Sequence, residues 1–243
     1  MRLPRVYLDG PLEPGTELRL PEGPARHLTQ VLRLTTGDRL VCFNGDGSDR
    51  TARLVTGGRQ GVVLAIGEAG EVEPMPGLSI HLALGISRGE RMDFAIQKAV
   101  ELGVAGIWPL FTERSMVQLR GERLDRRQGH WQGVLIGACE QSGRRRLPTL
   151  AHARTLEEWL TGTPPGTLLL DPRAPRSLTQ LSPAGSELTL LIGPEGGLSP
   201  RERDLAARHG VGGVRLGPRI LRTETAPLAA IAVIQALWGD FRD

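Results

Sequence analysis

The sequence predicts an α/β protein in two parts: a small barrel of short strands over residues 1–72, then a mainly parallel sheet covered by helices over residues 73–243. Three observations carry this. The first part holds short apolar runs separated by turn signals. The segment Gly70-Glu71-Val72-Glu73-Pro74-Met75-Pro76-Gly77 then breaks all periodicity and marks a boundary. Beyond it strand and helix patterns alternate, and repeated βα units build parallel sheets with helices on both faces.

In the first part, Arg39-Leu40-Val41-Cys42-Phe43 and Thr51-Ala52-Arg53-Leu54-Val55 read as strands around the turn Asn44-Gly45-Asp46-Gly47. Asn-Gly between apolar strands is a strong hairpin signal. Val62-Val63-Leu64-Ala65-Ile66 is a further strand, and residues 24–34 read as one short helix with His27, Leu28, Val31 and Leu32 on one side. Short strands with frequent turns solve their edge problem by closing, hence a barrel. In the second part, Leu78-Ser79-Ile80-His81-Leu82-Ala83-Leu84 is a strand. The next helix sets Met92, Ala95, Ile96, Ala99 and Val100 at helical spacing and stops at the C-cap glycine Gly103. Gly106-Ile107-Trp108-Pro109-Leu110 is a strand, and a helix from about residue 125 to Gly143 aligns Trp131, Val134, Leu135 and Ala138. A short helix at 156–160 and strands at 167–170 and 187–192 follow.

Two strand-to-helix turns look like ligand loops. Ile192-Gly193-Pro194-Glu195-Gly196-Gly197-Leu198-Ser199-Pro200 runs from a strand into a helix start with Ser199 as N-cap, Pro200 at the first helical position and Glu202 closing a capping box. Leu216-Gly217-Pro218-Arg219-Ile220-Leu221-Arg222-Thr223-Glu224-Thr225-Ala226 leads from a short strand into an apolar helix. Glycines let backbone approach a ligand closely, so two such loops at neighbouring strand ends form a crevice.

Composition narrows the class. The chain has 243 residues and is 40% hydrophobic, enough for real cores. No apolar run approaches the roughly 18 residues of a membrane helix, and the N-terminus lacks a signal-peptide segment, so the expected location is the cytoplasm. Cys42 and Cys139 are far apart, and the five histidines are scattered without ligand spacing, so neither a disulfide nor a metal site is expected. Lys98 is the only lysine, and arginine in its place is expected equally from codon bias, a hot habitat or selection for nucleic acid. Net charge is +3, yet residues 114–154 hold nine arginines against Glu122, Asp125 and Glu140, a local balance of +6. Arg144-Arg145-Arg146 at a helix end favours the dipole by itself. With Arg120, Arg123, Arg126 and Arg127 nearby, it also suits phosphate contacts, which dock rather than read bases.

Taken together, Gln97-Lys98-Ala99-Val100-Glu101-Leu102-Gly103, Glu113-Arg114-Ser115, Glu140-Gln141-Ser142-Gly143-Arg144 and the two loops resemble the ribosomal RNA small-subunit methyltransferase E family. Gly-Pro-Glu-Gly-Gly alone is shared with other trefoil-knotted RNA methyltransferases of the SPOUT class; the second loop combined with Glu140 to Arg144 is more specific. Arg5-Val6-Tyr7, Ala25-Arg26-His27-Leu28 and Val31-Leu32-Arg33 are similar to that family's PUA-like barrel. The resemblance implies a PUA-like β-barrel RNA-binding domain over residues 1–72 and a trefoil-knotted SPOUT methyltransferase domain over 73–243. It also implies a homodimer and methyl transfer from S-adenosylmethionine to N3 of a uridine in 16S rRNA near the decoding centre. The partner would be 16S rRNA in the assembled or assembling small ribosomal subunit, placing the chain in rRNA processing and ribosome biogenesis, with no metal and no membrane. A knot runs against the general rule that chains are not threaded. Competing readings are a SPOUT enzyme acting on another RNA atom, such as a ribose 2′-oxygen, and a non-catalytic RNA-binding or assembly factor. A dinucleotide oxidoreductase is disfavoured, because no G-x-G-x-x-G follows the first strand.

Methyl transfer from a sulfonium asks the protein to position two reactants and to make N3 nucleophilic. Arg222 is the candidate donor to the uracil carbonyls, with Arg144 as a second, and Glu224 and Glu140 are the candidate bases. Each has a plainer role open to it: Glu224 serving the helix dipole, Arg222 pairing with it, and Glu140 bridging to Arg144 at i,i+4. The proposed cofactor pocket is Leu169, Leu170, Gly193, Pro194, Glu195, Gly196, Gly197, Leu216, Gly217, Ile220, Leu221 and Thr223, of which the leucines serve equally as core. RNA contacts are assigned to Arg2, Arg5, Arg26, Arg33, Arg114, Arg120, Arg123, Arg145 and Arg146. The last helix is apolar nearly all round and needs cover on more than one face, its own sheet and a second subunit.

Overall fold

The computed structural model describes residues 3–57, 61–116, 119–182 and 185–242. The chain divides into two compact units, Met1–Met75 with Cys139–Leu147, and Pro76–Ala138 with Pro148–Asp243.

In the first unit, β1 (Arg5–Tyr7), β2 (Glu17–Arg19), β3 (Arg39–Phe43), β4 (Ser48–Thr56) and β5 (Val63–Val72) form one sheet in the order β1-β3-β4-β5-β2. β1 pairs with β3 in parallel and the other pairs are antiparallel. Val6 of β1 and Leu18 of β2, at opposite ends of the sheet, pack in the same core as Leu40, Leu54 and Leu64, so the sheet curls on itself.

Two local expectations change. The single helix of residues 24–34 is instead α1 (Glu22–Arg26) passing into a π-helical turn, His27–Val31. Leu32 donates back to the His27 carbonyl at 3.0 Å, an i to i+5 bond, and the Thr29 hydroxyl donates to the Ala25 carbonyl at 2.9 Å. The wider turn seats Leu28, which is fully buried. The boundary segment is strand as far as Val72, because Ser48 pairs with Val72 and Glu73 donates to the Gly47 carbonyl at 2.7 Å.

Cys139–Leu147 completes this unit through charge-assisted bonds. The Tyr7 N–H donates to Glu140 Oε1 at 2.9 Å, and Arg5 donates to the Arg144 carbonyl at 3.0 Å. Arg5 also pairs with Asp49 and lies 4.7 Å over the Phe43 ring. The backbone N–H groups of Arg145 and Arg146 both donate to Glu73 Oε2, at 2.6 and 2.9 Å. Cys42 and Cys139 are free and buried, and burial pushes both thiols up to about 11.

The second unit runs β6 (Ser79–Gly85), α2 (Glu90–Glu101), β7 (Gly106–Phe111), α3 (Glu122–Ser142), β8 (Thr149–Leu150), β9 (Arg154–Thr155), α4 (Leu156–Leu160), β10 (Leu168–Leu170), β11 (Glu187–Ile192), α5 (Pro200–Arg208), β12 (Gly212–Val214) and α6 (Thr225–Trp238). The sheet order is β12-β10-β11-β6-β7-β8, with β9 also on β7, and the pairs are parallel. Ala83, Leu110, Leu169 and Leu191 share a core with Trp159 of α4 and Ala206 of α5. Side chains alternate along strands, so Leu82 and Leu190 face the other side, where α6 contacts β11 and α2. Cover on both faces explains why the central strands are almost continuously apolar. Within α6, buried Gln235 donates to the Leu102 carbonyl at 2.9 Å. Gly103, just past α2, takes a positive φ of 89°, which is what requires glycine there, and the Gln235 amide packs 2.6 Å from where a Cβ would stand. Among the described residues no helix is long and apolar enough to cross a membrane.

The chain leaves β6 toward β7 on one side and leaves β11 toward β12 on the other. Such a reversal opens a crevice outside the carboxyl ends of the strands. The predicted capping box forms at that edge: Ser199 Oγ accepts from the Glu202 N–H at 3.1 Å, and Glu202 Oε2 accepts from the Ser199 N–H at 2.8 Å. Glu202, only 5% exposed, also accepts from the Glu113 N–H at 2.8 Å, tying the loop after β7 to the loop after β11.

Glu202→Ala strands the buried Ser199 N–H, takes an acceptor from the part-buried Glu113 N–H and removes half of the capping box, so it should destabilise the protein by about 1–3 kcal/mol in urea unfolding; an unchanged midpoint would refute the role given to this carboxylate. The thiols give a second check. They stay protonated in the folded state well above their ordinary value of 9.0. Their contribution is therefore present below pH 9 and lost as pH rises toward 11. Native protein should resist thiol alkylation at pH 8.5 and label at both cysteines once unfolded; fast native labelling would contradict the burial.

Candidate active site

A cavity of about 950 Å³ lies at the carboxyl edge of β10, β11 and β12. Close packing shapes its walls. A Cβ on Gly193 would meet the Leu198 nitrogen at 2.8 Å, and Gly85 at the end of β6 would meet Pro194 at 2.5 Å. Gly197 takes a positive φ of 63°. Glycine alone fits these three demands.

The second loop is fastened across the first. The Thr223 hydroxyl donates to the Gly193 carbonyl at 3.0 Å and lies 3.3 Å from the Ser87 hydroxyl. Arg222 and Thr225 then open α6, the Thr225 and Ala226 N–H groups donating to the Arg222 carbonyl at 2.9 Å.

Charge at the cavity is mixed. Glu195 Oε1 accepts from the Arg88 N–H at 3.0 Å and from Arg91 at 3.1 Å, while its Oε2 is buried without a hydrogen-bond partner. Burial alone would raise this carboxyl, but N–H donors, including that of Arg88, and the Arg91 charge hold it below the usual carboxylate range. Asp171, at the end of β10, is depressed in the same way against its burial, by the Arg173 N–H and side chain and by the Arg203 charge. Arg222 is exposed and Glu224 half-buried, and no ion pair joins them.

Of the residues predicted for the cofactor, Leu169, Leu170, Gly193, Pro194, Glu195, Gly196, Gly197, Leu216, Ile220, Leu221 and Thr223 line this cavity; Gly217 does not. Arg222 and Glu224 line it too. Glu140 and Arg144 lie in the first unit. Among the predicted RNA contacts, Arg114 also lines the cavity and donates to the Gly196 carbonyl at 2.8 Å. Arg120, Arg123 and Arg126, together with Glu122, line a separate, mainly basic hollow at the start of α3. Arg26 and Arg33 are exposed, Arg5, Arg145 and Arg146 are bonded within the first unit, and Arg2 lies outside the described residues. Arg91, Asp171, Arg173, Arg203 and Arg219 line the cavity without having been singled out. For Asp171 the signal was its position directly after a predicted parallel strand.

The RNA methyltransferase domain family matches residues 73–235, and the RNA methyltransferase PUA domain family matches residues 20–67. A ribosomal RNA small subunit methyltransferase E of Neisseria gonorrhoeae, solved bound to S-adenosyl methionine, is 40% identical, with a TM-score of 0.92 over 99% of this chain and 100% of that one. A methyltransferase of Legionella pneumophila, solved with bound cofactor SAM, is 38% identical, with a TM-score of 0.95 over the same shares. The ribosomal RNA small subunit methyltransferase E of Buchnera aphidicola is 32% identical over 98% of both chains. With a PUA domain, a parallel α/β domain and relatives of this similarity along its whole length, the chain belongs to the ribosomal RNA small subunit methyltransferase E family.

Proposed function

We propose that this chain methylates N3 of a uridine in 16S rRNA, near the decoding centre, with S-adenosylmethionine as donor. The observation that carries the reading is the cavity at the carboxyl ends of β10, β11 and β12, walled by the two loops and edged by the unpaired Arg222. Its volume of about 950 Å³ suits a nucleoside-sized ligand. Gly193, Gly196 and Glu195 line the cavity, the glycines packed against Leu198 and Arg114 and the carboxylate held by the Arg88 N–H and Arg91. When bound, S-adenosylmethionine supplies an electrophilic methyl group.

The chain's own residues then have three tasks. Leu169, Leu170, Leu216, Ile220 and Leu221 hold the adenine faces while loop backbone reads its edge. Arg222 donates to the uracil carbonyls and stabilises the charge that appears when N3 loses its proton. Glu224, on the same cavity edge, accepts that proton. Glu140 holds the Tyr7 N–H, so the base is assigned to Glu224, and Arg144 enters as a second donor to be tested by substitution.

We further propose that residues 1–72 bind RNA, aided by the basic hollow of Arg120, Arg123 and Arg126, and that residues 73–243 carry the chemistry in a trefoil knot. The Thr223 bond to Gly193, which passes the segment before α6 across the loop after β11, supports that threading. A homodimer in the cytoplasm is proposed as the working form, since α6 keeps Leu228, Ala229, Ala232 and Val233 only half-buried and Leu237 exposed.

Nucleoside mass spectrometry after incubation with small subunits should show one added methyl on a uracil base. A methyl on ribose, or none despite cofactor binding, would defeat the reading. In the same assay Arg222→Ala should slow single-turnover transfer on the order of 100-fold with cofactor affinity nearly unchanged; a normal rate removes Arg222 from the chemistry. Sedimentation at micromolar concentration should give a dimer, and a monomer would count against the α6 interface.

A further inference from the structure

We infer that Asp171 reads the ribose of the bound cofactor, its carboxylate accepting from the sugar's hydroxyl pair. This rests on the S-adenosylmethionine reading above and adds to it a residue and the group that it recognises.

Position is the first argument. Asp171 follows directly on β10, and β10 pairs in parallel with β11, the strand that carries the Gly193 to Gly197 loop. A glycine loop ending one parallel strand, with a carboxylate at the same end of its neighbour, is a general way for open α/β sheets to take a nucleoside. The loop admits the ligand closely and the carboxylate accepts from ribose hydroxyls.

Unused bonding capacity is the second. Asp171 lines the cavity with its side chain 13% exposed. Its Oδ1 accepts from the Arg173 N–H at 3.0 Å and from Arg173 Nε at 3.1 Å. Its Oδ2 has one long contact from Arg173, at 3.4 Å, and Arg203 Nε stands at 3.7 Å, past hydrogen-bond reach. A carboxylate accepts about four bonds, so the spare capacity sits mainly on Oδ2.

Charge is the third. The Arg173 N–H and the neighbouring guanidiniums outweigh burial and keep the group ionised. An ionised carboxylate accepts only, so it selects hydroxyl or cationic donors and rejects phosphate. That fits the nucleoside of a phosphate-free cofactor.

A purely structural Asp171 would only close the turn to Arg173, and its loss would cost stability without touching ligand choice. Calorimetry separates the two with S-adenosylhomocysteine and its 2′,3′-dideoxy analogue, titrated into wild type, Asp171→Asn and Asp171→Ala, with thermal midpoints measured alongside. Wild type should lose about tenfold or more in affinity for the dideoxy analogue. Asp171→Ala should bind S-adenosylhomocysteine about tenfold more weakly and no longer tell the two apart, with Asp171→Asn in between. Should Asp171→Ala fail to fold, the discrimination ratio of Asp171→Asn decides. Equal discrimination in wild type and variants would overturn the ribose assignment and leave the cofactor reading standing. Binding of neither compound by wild type would overturn both.

Discussion

The hydrogen bond from the Thr223 hydroxyl to the Gly193 carbonyl is the constraint on which the cavity depends. It fastens the segment that follows β12 across the loop that follows β11, so two loops from separate crossovers become facing walls. Each wall is braced from outside. Arg114 holds the Gly196 carbonyl, Pro194 packs on Gly85, and buried Glu202 anchors the helix start behind them to the loop after β7. The glycines are therefore a consequence of crowding as much as of flexibility: three backbone segments meet where a Cβ has no room.

This bracing divides the polar groups by task. Glu202 has each oxygen held by a backbone N–H and serves architecture. Glu195 is half satisfied, with one oxygen held and the other buried alone, and Asp171 has one oxygen nearly free. Arg222 and Glu224 stand at the same edge without an ion pair between them.

Local signals made much of this legible. Ser199, Pro200 and Glu202 announce a helix start through contacts spanning three residues, and the strand before them is a plain apolar run, so the loop between was visible. The cavity leucines and glycines followed from being on that loop and its neighbour. What stayed hidden depends on partners far along the chain. Arg145 and Arg146 read as a free basic cluster, yet their backbone binds Glu73, more than seventy residues away. Arg91 and Arg203 sit on helices whose sequence shows only amphipathic spacing, and their place at the cavity follows from how β6 and β11 adjoin. The π-helical turn at His27 escaped because its reason, seating Leu28 in the core, is tertiary.

The stretch Cys139–Leu147 belongs with the barrel although some sixty residues separate it from Met75. During synthesis, then, the barrel is a promise kept late. With only the first 75 residues made, Glu73 lacks the two N–H groups that neutralise it and Tyr7 lacks its Glu140 acceptor. The barrel reaches its final bonding only after the strands and helices up to residue 147 have emerged. Completion of the N-terminal unit is thereby tied to the arrival of the middle of the chain, and the first unit cannot be cut out as a continuous fragment with its bonding intact.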